Sequence, residues 1–176
     1  MPSCHFSILL LLGMVVSELL AVGTSPPKYV RLGGLFPSFR MNGKISESGQ
    51  QRLAAFLLAV KEINADNATI LPHTTIKIAV RDSRVNVGKT FFATLDMATN
   101  AFNKTGVDAC IGGASSAESD AASNVLTQFS TVQISYSSTS PLLSAKINYP
   151  YFARTCPSDS FQGAAMADLV SNYYGW

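Results

Sequence analysis

The sequence is poor in the residues on which catalysis and metal binding most often depend. Its 176 residues include two histidines and three cysteines, and one of each falls within residues 1–23. His73 is the histidine that remains, beside a proline in a predicted loop far from the serine-rich segments. No serine–histidine pair can be assembled from this, and one histidine with two separated cysteines has no metal-ligand spacing. We therefore predict no enzyme activity, no cofactor and no metal site.

Charge of either sign is also scarce. Thirteen Lys and Arg residues stand against eleven Asp and Glu residues. One of the acids lies in residues 1–23, which contain no Lys or Arg, so the rest of the chain has a net charge of +3. This surplus is too small and too scattered for a nucleic-acid partner.

Long hydrophobic runs are absent except at the start of the chain. Phe6–Val16 is apolar, and small residues follow at Ala21–Gly23. This pattern predicts a signal peptide over residues 1–23, hence a secretory-pathway protein with an extracellular remainder. The alternative is a membrane anchor, but Glu18 interrupts the run before the roughly 20 residues that a bilayer span needs. A membrane link is then expected only through segments beyond this chain.

After the leader, strand and helix patterns alternate, which predicts an α/β domain with a doubly wound, mostly parallel sheet. The predicted strands are Tyr29–Phe36, Thr75–Val80, Val107–Ile111, Val132–Tyr136 and Tyr151–Thr155. The predicted helices are Gln50–Asn64, a segment marked by Phe91, Leu95, Ala98 and Phe102, then Ser116–Phe129 and Ser160–Tyr174. A further strand should follow such a last helix, so we expect the domain to continue past Trp176.

Polar clusters follow the predicted strands, whereas each of the two glycosylation sequons lies just before a predicted strand. The clusters are Ser46–Ser48, Asp82–Ser83, Ser115–Ser116, Ser135–Ser140 and Ser158–Ser160. In a parallel sheet the strand ends meet at one edge, where ligands bind. Asn67 and Asn103 begin the sequons, in loops that lead from a helix into a strand. We predict a ligand-binding rim at one edge of the sheet and glycans at the opposite edge.

Three of these clusters have a second interpretation. Gly112–Ser116 could hold an anion on backbone N–H groups and hydroxyls, or it could be a plain helix cap. Ser137–Pro141 could be a binding loop or simple turn chemistry. Asp159 with Gln162 could be a capping pair for the last helix.

Read together, Gly112–Ser116, Gln133–Ser140 and Tyr151–Asp159 closely resemble the "Venus flytrap" ligand-binding region of class C G-protein-coupled receptors. The metabotropic glutamate receptors are the nearest pattern, and Arg52 with Glu62–Asp66 fits the same family's first helix. The resemblance covers nearly all of residues 29–176. It implies a type I periplasmic-binding-protein fold with strand order 2-1-3-4-5. Residues 24–176 would form most of the first of two lobes, ending before the second.

The resemblance also implies roles for individual residues. Ser116 and Thr139 would hold the α-carboxylate of an amino acid. Ser137, Thr139 and Asp159 would bind its amino group, and Arg52 would reach a distal acid. Ser115 and Ser138 complete the predicted ligand-binding set. Four positions depart from the family's pattern, namely Ser48, Gly113, Arg84 and Ala117.

The implied strand order separates Cys110 from Cys156 by two strand spacings, about 10 Å. A disulfide needs Cα atoms within about 7 Å, so both are predicted to be buried thiols. The predicted function is an extracellular receptor lobe for an amino acid or close analogue, dimeric through its helices. The alternatives are a solute-binding protein of a transport system or the ligand region of a natriuretic-peptide-type receptor.

Overall fold

The structure, a computed structural model, describes residues 27–66 and 68–175. The predicted signal peptide and Asn67 therefore lie outside the described residues. The strands are β1 (Tyr29–Phe36), β2 (Thr75–Asp82), β3 (Ala109–Gly112), β4 (Val132–Ser135) and β5 (Phe152–Arg154). The longer helices are α1 (Glu47–Ala65), α2 (Val87–Thr99), α3 (Ser116–Leu126) and α4 (Asp159–Asp168). Shorter turns of helix lie at Ala101–Lys104, Thr127–Phe129, Pro141–Ser144 and Leu169–Tyr173.

The described strands form one parallel sheet in the order β2-β1-β3-β4-β5. This confirms the predicted fold class and strand order. β1 pairs with β2 along its whole length, from Tyr29 opposite Thr75 to Phe36 opposite Asp82. Its last five residues are buried because strands flank it on both sides and helices cover both faces.

Helices pack on both faces of the sheet, and each face has its own core. On one face α1 contributes to a cluster made of Leu32, Phe36, Phe56, Val60, Ile63, Leu71, Ile76, Ile111 and Ile134. On the other face α2 and α3 contribute to a cluster made of Leu35, Met97, Ala101, Val107, Cys110, Ala122 and Leu126. Burial of these side chains is the main stabilising contribution to the lobe.

The face that carries α1 is not fully covered. A cavity of about 700 Å³ lies over β1, β3 and β4, with Leu32, Ile111 and Ile134 among its lining residues. It opens at the edge where these strands begin, beside Tyr29 and Asp108. The predicted ligand residues follow the strands instead, and none of them lines this cavity.

α1 begins earlier than the sequence predicts. It starts at Glu47, three residues before the predicted Gln50, so Ser48 belongs to the helix and not to a loop. Ser46 occupies the N-cap position in an extended conformation, and its carbonyl accepts the amide hydrogen of Gln50 at 2.9 Å. The polar residues Ser46–Ser48 were predicted in the loop after the first strand, but they include the first residues of the helix.

α2 is also shifted toward the N-terminus. Asn86 caps it by accepting the amide hydrogen of Lys89 at 2.9 Å. Phe102, predicted on this helix, has a φ of 51° and lies beyond its end. Phe91 was predicted on the apolar face but is 40% exposed, while Thr90 is fully buried. The prediction was wrong for Phe91, because the buried face of this helix consists of Thr90, Thr94, Met97 and Ala98.

α4 begins at Asp159, one residue before the predicted start, and continues as the turn Leu169–Tyr173. Every residue from Asp159 to Gly175 is exposed, so the predicted apolar face packs against no part of the sheet. Phe161, for example, is 70% exposed. Within residues 27–66 and 68–175, no helix is long and apolar enough to span a bilayer.

The two cysteines differ in environment. Cys110 is buried in β3, as predicted, and burial raises the pKa of its thiol to about 12. Cys156 is only partly buried, so its prediction as a core thiol was wrong. β5 ends at Arg154, which places Cys156 in the loop beyond it, where its Sγ lies 3.5 Å from the Ser138 carbonyl oxygen. Both thiols are free.

Candidate ligand-binding site

The rim begins where β3 turns directly into α3. Gly112 and Gly113 have φ values of 145° and 90°, in the region that favours glycine. A Cβ at Gly113 would lie 2.0 Å from the Ser119 hydroxyl oxygen. The tight turn therefore requires glycine, and it brings the first N–H groups of α3 to the edge of the sheet.

Ser115 is the N-cap of α3. Its hydroxyl accepts the amide hydrogen of Glu118 at 3.3 Å and donates to the Glu118 carboxylate at 3.0 Å. Glu118 is buried and its other carboxylate oxygen accepts from the Thr90 hydroxyl at 3.3 Å. The Ser115 hydroxyl is thus committed to the helix, and the capping interpretation holds for it. The N–H groups of Ser116 and Ala117 have no partner among the described residues, as is usual in a first helical turn.

The segment Ser137–Ser140 lies against this helix start. The Ser116 hydroxyl oxygen accepts the Ser140 amide hydrogen at 3.1 Å. From the other side, the Ser137 hydroxyl donates to the Ala114 carbonyl at 2.8 Å. These hydrogen bonds join the segment after β4 to the segment after β3, as the predicted shared edge requires.

Ser138 does not face the rim. Its side chain is fully buried, 2.7 Å from the Ser119 hydroxyl and 3.3 Å from the Gly113 carbonyl oxygen. The Ser135 hydroxyl accepts its amide hydrogen at 3.0 Å. The structure therefore places Ser138 beneath the candidate site, as a support, and not among the groups that can contact a ligand.

Thr139 is the residue of the segment with open donors. Neither its N–H nor its hydroxyl has a hydrogen-bond partner among the described residues, although its carbonyl accepts the Asp159 amide hydrogen at 2.9 Å. Asp159 is therefore adjacent to Thr139. The N-cap of α4 is Ser158, so the capping interpretation of Asp159 is wrong, and among the described residues its carboxylate has no hydrogen-bond or ion-pair partner.

Arg52 lies in the second turn of α1, over the ring of Tyr136. Its guanidinium carbon is 5.3 Å from the ring centroid. Tyr136 stacks in turn on Phe36, with ring centroids 5.6 Å apart and planes within 3°. Burial raises the pKa of Tyr136, which keeps the phenol neutral, and its hydroxyl donates to the Leu35 carbonyl at 3.4 Å. This stack places a cation on the rim, where β1 and β4 end.

Two residues near the site were missed by sequence reasoning. Glu118 had a local signal, because Ser115 followed three residues later by a glutamate is the pattern of a capping box. Arg154 had none. Its guanidinium reaches back from the end of β5 to the segment Ser137–Ser140 and makes contacts that depend on the tertiary fold.

The opposite edge of the sheet has a different character. Asn103 is exposed, with a φ of 58°, in the turn that precedes β3, so this sequon lies where the sequence predicts. Nearby, Arg31 and Asp108 form an ion pair. The Arg31 Nε lies 3.0 Å from a carboxylate oxygen, and hydrogen bonding to Asp108 raises the pKa of Arg31.

Comparison with known proteins identifies the family. The model of the family "Receptor family ligand binding region" matches residues 51–176. The chain belongs to this family. This receptor ligand-binding region is 37% identical over 150 residues to glutamate receptor 3.1 of Oryza sativa. The match covers 85% of this chain and 14% of that relative.

A second group of relatives carries a different name. The receptor ligand-binding region is 34% identical over 142 residues to the extracellular calcium-sensing receptors of Homo sapiens and Mus musculus. This match covers 73% of the chain and 13% of each relative. The chain thus spans about one seventh of the length of the relatives that it matches.

Proposed function

We propose that the rim binds an amino acid or a close analogue, as one lobe of an extracellular receptor's ligand-binding module. The observation that carries the proposal is the meeting of α3 and the segment Ser137–Ser140. Among the described residues, the N–H groups of Ser116 and Ala117 and the N–H and hydroxyl of Thr139 have no partner, and the Ser140 amide next to Thr139 binds the Ser116 hydroxyl. A group of donors at a helix N-terminus suits a carboxylate, through both hydrogen bonds and the helix dipole.

An acceptor group adjoins these donors. The Asp159 carboxylate is exposed and belongs to the residue whose N–H binds the Thr139 carbonyl. The Ser137 hydroxyl donates to Ala114, which leaves its oxygen able to accept. Donors for a carboxylate next to acceptors for an ammonium group match the zwitterionic head of an α-amino acid.

Arg52 supplies the third element of the proposal. Its guanidinium is held over Tyr136, and the ion pairs of the described residues do not include it. A guanidinium can bind a carboxylate with two parallel hydrogen bonds, so Arg52 would favour a ligand with a second, distal acid. The α-amino-acid head and the distal acid would then contact separate parts of the rim.

For the receptor type, the proposal rests on the resemblance, and the similarity to receptors supports it. We assign this lobe to a class C G-protein-coupled receptor at the cell surface, with a second lobe completing the cleft. Dimerisation would use α1 and α2, where Leu58 is 50% and Phe92 is 68% exposed. Exposed apolar side chains such as these are the kind of surface that a partner lobe covers.

Titration of the ¹⁵N-labelled chain with L-glutamate and L-alanine tests the proposal by NMR. Both ligands should shift the amide signals of Ser116, Ala117 and Thr139. The Ser116 hydroxyl accepts from Ser140, which leaves its hydrogen to donate to the carboxylate. Ser116→Ala and Thr139→Ala should therefore each weaken binding ten- to a hundredfold, the effect of losing a hydrogen bond to a charged group of about 1.5–3 kcal/mol.

Asn148→Ala is the control, because Asn148 is exposed on the same connection and lies beyond the proposed contacts. It should bind as the wild type does. If all three variants lose affinity equally, or if neither ligand shifts the three amides, the rim is only a set of helix caps and the proposal fails.

A further inference from the structure

The binding donors of the rim depend on one short segment that has no regular structure of its own. Ser137–Ser140 lies between β4 and the helical turn Pro141–Ser144, without a crossover helix behind it. Its conformation decides where the N–H and hydroxyl of Thr139 point. The question is therefore which group holds it.

Arg154, the last residue of β5, makes contacts on both sides of Thr139. Its Nη1 donates to the Ser138 carbonyl at 3.0 Å and to the Ser140 carbonyl at 2.9 Å. Its Nη2 donates to the Ser144 hydroxyl. One rigid guanidinium thus joins three points of the β4–β5 connection, and the two carbonyls that it binds flank Thr139.

These contacts direct the segment. Because the carbonyls before and after Thr139 point toward Arg154, the donors of Thr139 remain open to the rim. The Ser140 amide then reaches the Ser116 hydroxyl, and the Thr139 carbonyl reaches the Asp159 amide. These two links add to the hydrogen bonds that Ser137 makes to Ala114 and Ser138 makes to Gly113 and Ser119.

The charge of Arg154 is not offset by a carboxylate among the described residues, whose ion pairs involve Arg31, Arg81 and Arg84. Its three partners are neutral oxygens, which hold a planar guanidinium in a fixed orientation. A lysine would keep the charge but could not donate to both carbonyls and the hydroxyl in the same geometry.

We propose that Arg154 is the positioning residue of the ligand-binding rim, holding Thr139 in its donor-outward conformation without touching the ligand itself. The effect of Arg154 on ligand binding rests on the proposed function. The positioning itself is a property of the free chain. The two can therefore be tested separately.

Amide hydrogen exchange in the ligand-free, ¹⁵N-labelled chain tests the positioning. Arg154→Lys and Arg154→Gln should both speed exchange at Ser140 and Asp159 by about tenfold or more, while amides of β1 and β3 keep wild-type rates. Asn148→Ala changes an exposed residue of the same connection that Arg154 does not contact, and it should exchange as the wild type does. Exchange at Ser140 and Asp159 unchanged in Arg154→Lys would overturn the proposal, as would equal acceleration across the whole sheet.

A measurement on the wild type covers the case in which the variants do not fold. The Arg154 side-chain hydrogens should exchange slowly and its guanidinium should rotate slowly, because three acceptors hold it. Free rotation would overturn the proposal.

Titration with L-glutamate tests the consequence. Arg154→Lys should weaken binding by about tenfold, because the Thr139 donors would no longer be held toward the ligand and a hydrogen bond to it would be lost. Wild-type affinity in a variant with accelerated Ser140 exchange would overturn the role in binding. If L-glutamate fails to shift the Thr139 amide even in the wild type, the proposed function fails, while the exchange rates still decide the role of Arg154.

Discussion

The two edges of the sheet carry polar groups in opposite ways. At the edge where the strands begin, Arg31 and Asp108 satisfy each other, and the Arg31 guanidinium also donates to the Thr105 carbonyl at 3.1 Å. At the edge where they end, Thr139 and the first turn of α3 leave donors unpaired among the described residues. Both edges are built on the same strands, so the fold alone does not explain the difference.

Under the proposed function, the difference is the way in which one lobe would combine stability with binding. Polar groups that pair with each other fix the loops at one edge. Groups that bind a ligand must stay open, so they need support from residues that do not face the ligand, such as Ser138 and Arg154. A change at the first edge should affect stability, and a change at the second should affect binding.

The largest expected effect is at the turn that begins the rim. Gly113→Ala should lower the free energy of unfolding by about 3 kcal/mol, since it combines a strained φ with a contact to Ser119. Gly43→Ala is the control, because Gly43 has a φ of 77° but nothing within 4 Å of its Cβ position. It should cost about 1 kcal/mol from backbone strain alone. Equal losses in urea denaturation would show that the rim turn is not tightly packed.

The next largest effect is the difference in reactivity between a thiol near the rim, Cys156, and a thiol buried in the sheet, Cys110. At pH 8, a disulfide reagent should modify Cys156 at least about a hundredfold faster than Cys110, because a thiol with a pKa near 12 forms almost no thiolate there. Mass spectrometry of digests gives both rates. Unfolding in guanidinium should make the two rates similar. Equal rates in the native chain would mean that Cys110 is not enclosed.

Arg52 tests whether the rim has two binding regions. Arg52→Lys should weaken L-glutamate binding by about tenfold, because lysine lacks the planar fork, and should leave L-alanine binding nearly unchanged. Calorimetry or NMR titration with both ligands measures the contrast. A similar loss for both ligands would reduce Arg52 to a support for Tyr136.

The opposite edge should respond in stability only. Arg31→Met should lower the free energy of unfolding by about 1 kcal/mol, a value kept small because the ion pair is partly exposed. Binding of L-glutamate should not change, which a titration beside the denaturation series will check. A loss of affinity would show that the two edges are coupled through β1.

The smallest effect is expected at the sequon. Asn103→Asp removes the glycosylation acceptor and suits the left-handed backbone there, so stability should change by about 0.5 kcal/mol or less. Expression in a eukaryotic secretory host should show a lower mass and unchanged binding. Reduced affinity would place the glycan edge closer to the ligand than the fold implies.

Much of the fold could be predicted from the sequence because it depends on local patterns. The apolar strand segments and the alternation of strands with helices predicted the parallel sheet. The order of its strands came from the resemblance. Helix boundaries were less accurate, since caps such as Asn86 act over three residues and compete with apolar periodicity.

The site was only partly predictable, for a different physical reason. The sequence places Ser116, Thr139 and Asp159 at the ends of elements that share an edge. It cannot show that Ser115 is used by Glu118, or that Ser138 points inward. Those distinctions depend on contacts between segments distant in the chain, for which residue type carries no signal.

The exposure of α4 has a consequence for ligand affinity. Its first residue is bonded to Thr139, but within the described residues this ten-residue helix buries no side chain that would offset the entropy of ordering it. Under the proposed function, the conformation that presents the Asp159 carboxylate would then be one of several. Apparent affinity would scale with the population of that conformation, so a surface that packs against α4 would strengthen binding of the amino group without contacting the ligand.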